Sequence, residues 1–377
     1  MDLGFTEEQE LLRATLQNFL LDRYRFEQRN LASRSEPGWQ PAIWQAFAKE
    51  LGITGASLPE TAGGLGGNAV DIMIIMEELG AALVLEPFLE SAVIAGGLLA
   101  GAGGRDADLA AIADGSARYA YGWAEPYSRT NLTDVRTTAR RDGDGWVVNG
   151  EKSVVTAAPW ATHLIVTART AGKPGDRDGI SLFLVDPAAA GVTLRSYPTI
   201  DGRRAAELRL ENVRLGVDAL IGAEGASLPL IEKIADVAIA AIGAEAVGVM
   251  RRMLHDTIEY TKQRRQFGQP IAQFQVLQHR MVDMFMHVEL ATSAVYLATL
   301  SLDADPAERA RAASACKVTV SNASRFVGQN AIQLHGGMGM TDELAVGHYF
   351  KRATVIESEF GTPDFHINRF AELSAAA

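Results

Sequence analysis

The sequence has a single cysteine, Cys316, in 377 residues. One thiol cannot close an internal disulfide, so burial rather than cross-linking must hold the fold, and the usage fits a reducing compartment. Cys316 lies on an alanine-rich helical face and reads as core packing. Positive charge is scarce as well: 35 Lys and Arg stand against 46 Asp and Glu, a formal net charge of −11. No basic face extends far enough to follow a phosphate backbone, which argues against nucleic acid as a partner. Long apolar runs are also missing. The start, Met1-Asp2-Leu3-Gly4-Phe5-Thr6, lacks the basic region and hydrophobic core of a secretion signal. Val93 to Gly104 is apolar, but too short and too rich in glycine to span a bilayer. These absences point to a cytoplasmic protein without a membrane partner. The 47% apolar and 21% charged residues describe an ordinary globular chain, long enough for two or three domains.

The hydrophobic period changes twice, dividing the chain into residues 1–117, 118–225 and 226–377. The first part reads as helical: Thr6-Glu7-Glu8-Gln9 is a capping box ahead of Leu11, Leu12, Leu16, Phe19 and Leu20. Trp44, Phe47 and Leu51 mark another helix, and Gly63-Gly64-Leu65-Gly66-Gly67 reads as a flexible turn. No Lys-Ser or Lys-Thr follows it, so it is no P-loop. The second part alternates and is broken by turn signals. Asp142-Gly143-Asp144-Gly145 and Asn149-Gly150 both read as hairpin turns, within at least six short strands forming a barrel or sandwich. The third part reads as a four-helix bundle: Leu228 to Gln263, a helix after Pro270, one from Asp305-Pro306 to Gly336, and Leu344 to Glu357. The expected fold is therefore α+β, mainly α.

Two runs stand out. At Arg264-Arg265-Gln266-Phe267-Gly268-Gln269-Pro270 a long helix stops and a new apolar period begins at Phe274. Gly268 and Pro270 explain the stop. They do not explain why a guanidinium, a ring and an amide crowd the corner. Between Arg251 and Arg280 six basic side chains face two acidic ones, a local reversal of the chain's charge that suits an anionic ligand. The second run, Gln329 to Thr341, contains Gln333-Leu334-His335-Gly336-Gly337-Met338-Gly339. Its glycines end a helix and also allow close backbone approach to something flat or charged.

Together, in this order and separation, the two runs resemble the acyl-CoA dehydrogenase family, in which Arg-x-Gln-Phe-Gly and Gln-x-His-Gly-Gly segments hold FAD across a subunit interface. The resemblance covers nearly the whole chain. It implies an N-terminal helical domain, a middle β-barrel domain and a C-terminal four-helix bundle. It also implies FAD contacts at Arg264, Phe267, Gln275, Gln333, Gly337 and Thr362, with Thr156, Trp123 and Ala124 on the flavin side. The Pro59-Glu60-x-x-Gly63-Gly64 loop would border the acyl pocket. Two motifs are eroded. Ala124-Glu125-Pro126 replaces Thr-Glu-Pro, and Asn149-Gly150-x-Lys152 is followed by Val154-Val155-Thr156 instead of Trp-Ile-Thr. The aromatic residue that often flanks the flavin is thus absent.

The family oxidises an acyl-CoA thioester between its α and β carbons. A carboxylate removes the α proton, donors stabilise the developing enolate, and the β hydrogen passes to the flavin. An electron-transfer flavoprotein or similar acceptor would then take the electrons. The carboxylate is the difficulty. One usual position, before Gly361-Thr362, holds Phe360; the other, 29 residues before Phe267, holds Ala238. Glu359 and Asp236 are the nearest replacements. The ending Phe360-Gly361-Thr362-Pro363-Asp364-Phe365-His366 resembles a branch containing the pimeloyl-CoA dehydrogenase small subunit and some steroid side-chain dehydrogenases, where two different chains often combine. The resemblance thus implies fatty-acid or steroid side-chain catabolism in a homo- or heterotetramer. Two readings stay open: an acyl-CoA dehydrogenase with an unusual base, or a catalytically silent partner subunit that contributes to FAD binding.

Overall fold

A computed structural model of the chain describes residues 4–375, so Met1 to Leu3 of the stretch weighed above as a signal lie outside the described residues. Six helices come first: α1 (Glu7–Arg23), α2 (Phe26–Arg34), α3 (Pro41–Lys49), α4 (Ala69–Ala81), α5 (Gly96–Ala102) and α6 (Asp106–Ala113), with a π-helical turn at Leu89–Ala95 before α5. Eight strands follow: β1 (Tyr119–Gly122), β2 (Thr138–Asp142), β3 (Gly145–Thr156), β4 (His163–Arg169), β5 (Ile180–Val185), β6 (Val192–Pro198), β7 (Arg204–Leu215) and β8 (Leu220–Ile221). The long α7 (Leu228–Gln263) leads to a small hairpin, β9 (Arg265–Gln266) and β10 (Gln269–Pro270). The chain closes with α8 (Gln275–Leu300), α9 (Pro306–His335), α10 (Ala345–Ser358) and α11 (Pro363–Ala375).

The described chain divides into two compact units. One comprises residues up to 31, 69–84 and 239 onward; the other comprises 32–68 and 85–238, so the division falls inside α7. In the first unit α4 and α7 touch backbone to backbone. A methyl group on Gly80 would lie 2.1 Å from the Glu245 carbonyl oxygen, and one on Gly248 would lie 1.9 Å from that of Glu77. Only glycine permits that crossing. α9 lies against α8, α10 and α11 and buries Ala313, Cys316, Val320, Val327 and Ala331. Burial pushes the Cys316 thiol up to about 12, as core packing requires. The helix starts are local events. Thr6 and Gln9 form the reciprocal capping box of α1, and the Asp305 carboxylate accepts from the amides of Ala307 (3.0 Å) and Glu308 (3.1 Å) to open α9.

The second unit is built on an eight-stranded sheet ordered β6-β7-β3-β2-β4-β5-β8, with β1 parallel to β4. One face buries Ala139, Trp146, Val148, Leu164, Val166, Phe183, Leu208 and Val213. Two expectations change here. Asp142-Gly143-Asp144-Gly145 does turn the β2–β3 hairpin, but Asn149-Gly150 is no turn. It lies inside β3 at a register shift against β7. A side chain on Gly150 would fall 2.6 Å from the Thr137 Cα, and the Asn149 amide oxygen accepts from the Asn212 N–H (2.7 Å). The glycine loop at 63–67 is not free either. The amides of Leu65, Gly66 and Gly67 donate to the carbonyls of Gly55, Leu58 and Ala56, fastening it to the chain before it. Composition suggested flexibility, and backbone pairing overrides it.

Candidate functional site

The corner after α7 is a β-hairpin, not a plain helix stop. Gln266 pairs with Gln269 across Phe267 and Gly268, whose φ values are +52° and +83°. Both central residues at positive φ mark the primed turn type whose twist matches its strands. The turn carries Phe267 outward, 92% exposed, with its ring edge-on to Phe274. The hairpin borders a cavity of about 650 Å³ whose lining includes Arg264, Arg280, Gln333, His335, Gly336 and Gly337. Arg264 lies at the end of α7, Arg280 on α8, and the remainder at the end of α9. Methyl groups on Gly336 or Gly337 would meet nothing within 4 Å, so the backbone there faces open space. The described residues offer the guanidiniums of Arg264 and Arg280 no carboxylate partner. Two such groups, an amide and bare glycine backbone form a donor set suited to a pyrophosphate.

His335 stiffens the floor of this cavity. Its Nδ1–H donates to the Ala331 carbonyl (2.8 Å), its ring stacks on Tyr260 at 4.3 Å, and the Tyr260 hydroxyl donates to the His335 carbonyl (3.2 Å). Burial lowers the imidazole pKa, only partly offset by the Ala331 hydrogen bond, so the ring is neutral at physiological pH. Of the expected contacts, Arg264, Gln333 and Gly337 line this one cavity. Gln275, the first residue of α8, and Phe267 stand outside its lining. Thr362 is exposed and starts α11, its hydroxyl accepting from the Phe365 amide (3.4 Å). Arg280, Tyr260 and His335 were missed as site residues. Arg280 was visible only in the count of local basic charge.

The strand unit carries the flavin-side candidates. Trp123 and Ala124 follow β1 and are half-buried; Thr156 ends β3. Thr156 lies between two non-glycine residues in the left-handed region, Val154 at φ +52° and Ala157 at φ +60°. For a β-branched valine this costs on the order of 1–3 kcal/mol and persists only where the surroundings enforce it. Beneath this segment Glu125 and Lys152 form a buried ion pair at 2.7 Å. Lys152 also donates to the Thr167 hydroxyl (2.8 Å), and Glu125 accepts from the amides of Arg136 (2.8 Å) and Thr137 (3.0 Å). Burial alone would raise the Glu125 carboxyl; the Lys152 ammonium and the Thr137 donors outweigh it and hold the group below the usual range. Lys152 is pulled below its ordinary value by burial, against the pull of Glu125. The eroded Ala124-Glu125-Pro126 motif thus keeps its charged anchor.

The acids belong to different settings. Asp236 is 1% exposed within α7, near the equally buried Ala238. Glu359 follows α10, and both its oxygens accept from Arg352, at 3.0 and 3.1 Å. The same guanidinium donates to both oxygens of buried Glu245, at 2.7 and 2.8 Å. Phe360 next to it has φ +54°. Lys317, buried within α9, donates to the carbonyls of Ile356 (2.8 Å), Glu357 (2.9 Å) and Gly361 (2.9 Å), and so caps the C-terminus of α10. Burial draws its pKa down to about 8, against the pull of Glu359 and Glu357.

Comparison with known proteins decides the family. Residues 6–104, 120–213 and 229–374 match the N-terminal, middle and C-terminal domains of acyl-CoA dehydrogenase. The chain belongs to the acyl-CoA dehydrogenase family. A probable acyl-CoA dehydrogenase of Bacillus subtilis is 30% identical over 376 residues, covering 97% of each chain. A variant of the Tcur3481-Tcur3483 steroid ACAD is similar in structure, with a TM-score of 0.88 and 28% identity over 98% of each chain. Butyryl-CoA dehydrogenase from Megasphaera elsdenii shares the fold, with a TM-score of 0.89 at 24% identity over 100% of each chain. The three-domain architecture is that of the family: helical, strand-rich and helical-bundle parts, with α11 added to the four helices expected. FAD is the family's cofactor, and the open, carboxylate-free cavity at Arg264 and Arg280 fits its phosphates. Among the described residues no helix is long and apolar enough to cross a membrane.

Proposed function

We propose that this chain is an FAD-dependent acyl-CoA dehydrogenase subunit acting in α,β-dehydrogenation of an acyl-CoA thioester. The observation that carries the reading is the cavity joining Arg264, Arg280, Gln333 and Gly337. Bound FAD would supply the two-electron acceptor. Arg264, Arg280 and the glycine backbone would bind its pyrophosphate, while the exposed Phe267, with Gln275 and Thr362, would serve the dinucleotide of a neighbouring subunit. Thr156, Trp123 and Ala124 would flank the flavin. One face of α8 leaves Val282 (55%), Met286 (54%), Leu290 (59%) and Leu297 (56%) exposed, a stripe that suits burial in a tetramer. An electron-transfer flavoprotein or similar acceptor would reoxidise the flavin, and fatty-acid or steroid side-chain catabolism is the setting.

A second reading is favoured by the geometry of Glu359. Both its oxygens already accept from Arg352, which ties the carboxylate to the fold instead of leaving it free to turn toward a substrate. A partner chain supplying the base removes the difficulty. The test is anaerobic flavin bleaching by a panel of acyl-CoAs, with wild type, Glu359→Gln and Asp236→Asn. A several-hundred-fold or larger loss in one variant with FAD retained, on the order of what a general base contributes, assigns the base to this chain. Bleaching only after a second, glutamate-bearing chain is added assigns the silent role. A chain that purifies without FAD and cannot be reconstituted overturns both.

A further inference from the structure

The two guanidiniums that border the cavity at the end of α7, Arg264 and Arg280, can only donate hydrogen bonds. His335, in the same lining, offers the opposite. Its Nδ1 lies 2.8 Å from the Ala331 carbonyl oxygen, one turn back along α9. A carbonyl only accepts, so Nδ1 must carry the proton, and in a neutral ring Nε2 then keeps its lone pair. Burial lowers the imidazole pKa and so favours that neutral form. With Nδ1 turned back onto α9, the Nε2 edge of the ring faces away from the helix. Among the described residues Nε2 has no hydrogen-bond partner, yet it is not one of the polar atoms sealed from solvent in the core. Tyr260 fixes the ring in this pose: the two rings stack at 4.3 Å, and the Tyr260 hydroxyl donates to the His335 carbonyl (3.2 Å). The result is a rigid, unpaired acceptor at the edge of a cavity of about 650 Å³.

A pyrophosphate cannot satisfy it. Its oxygens are all acceptors, and a lone pair set among them repels. The donors of FAD that lie next to the pyrophosphate are the hydroxyls of the sugar units on either side. The flavin-side candidates belong to the strand unit, so the cavity in the helical unit suits the adenosine half. We propose that His335 is a further FAD-binding residue, whose Nε2 accepts a hydrogen bond from a ribose hydroxyl of the adenosine. The arginines then hold the charge of the dinucleotide, and His335 recognises its sugar.

This rests on the FAD reading above and deepens it by assigning the group that His335 meets. The test titrates the full-length protein, stripped of flavin, with FAD and with its analogues built on 2′-deoxyadenosine and 3′-deoxyadenosine. Wild type should bind one analogue about tenfold more weakly than FAD, the loss of one ordinary hydrogen bond, and which analogue it is names the hydroxyl. Two variants isolate Nε2. His335→Phe keeps a ring on Tyr260, and His335→Asn keeps a donor for the Ala331 carbonyl; both lack the acceptor. Each should bind FAD about tenfold more weakly than wild type and should no longer distinguish FAD from that analogue. Wild type that binds both analogues as tightly as FAD overturns the sugar contact while leaving FAD binding intact. A variant that still discriminates as wild type does removes His335 from the contact. Wild type that binds no FAD overturns the underlying reading, and the assignment falls with it.

Discussion

Two arginine clusters in the helical unit show opposite uses of the same side chain. Arg352 is almost completely buried and spends its donors on two carboxylates, Glu245 and Glu359. Arg264 and Arg280 border an open cavity, and no carboxylate among the described residues meets them. A buried guanidinium must be neutralised within the fold, whereas an exposed one is left available by withholding its partner. The first cluster is therefore architecture and the second is available for a ligand. The contrast also places Glu359, next to a usual base position, in the architectural cluster.

The sharpest way to break the comparison is Arg352→Met. It leaves Glu245 buried without its counter-charge, and removing one partner of a buried pair costs about 3–5 kcal/mol. Chemical denaturation should show that loss, and adding Glu245→Gln should recover part of it. A change below about 1 kcal/mol would mean the cluster is not architectural.

The next effect is pH-dependent and lies beside the same turn. The His366 Nε2–H donates to the Phe360 carbonyl (2.9 Å), and the ring is fully buried. Burial, countered in part by that hydrogen bond, lowers its pKa to about 4. The sign follows from proton counts. Between the ordinary histidine value and about 4 the unfolded chain holds a proton that the folded chain does not. Stability is therefore full above the ordinary value and declines as pH falls through this window. The decline should reach about 3 kcal/mol near pH 4. His366→Asn should flatten the difference between unfolding curves at pH 7 and pH 4.5; an equal slope in both proteins would remove His366 from the account.

The smallest effect should come from the open cluster. Arg264→Ala should leave unfolding of the apoprotein almost unchanged and weaken FAD retention by about 1.5–3 kcal/mol, roughly 10- to 150-fold in Kd. Absorbance after gel filtration reads the retention. If stability falls and FAD stays, the two clusters do not differ as argued.

What was legible in the sequence follows the range of each interaction. The capping box at Thr6, the start of α9 at Asp305-Pro306 and the limits of α7 were readable, because a cap or a helical stripe is fixed by neighbours a few positions apart. Arg264, Gln333 and Gly337 were readable only through two family-like runs. Asn149-Gly150 was misread because a dipeptide that favours a turn also serves a bulge, and the approach of Thr137 and the pairing with β7 decide which. The hairpin at Phe267-Gly268 was read as a helix stop, since four residues are too few to reveal strand pairing.

By itself, then, the sequence determined the helix limits, the strand-rich middle and the family-like corners, all set by local periodicity and short-range hydrogen bonds. Tertiary structure alone decided that Arg352 joins Glu245 and Glu359, that Lys317 caps α10, and that the Tyr197 hydroxyl meets Glu207. Most of these partners lie tens of residues to more than a hundred apart in the chain. Nothing in the local pattern of a charged or hydroxyl-bearing residue tells which distant group the fold will bring to it, and that choice separates a structural charge from one left for a ligand.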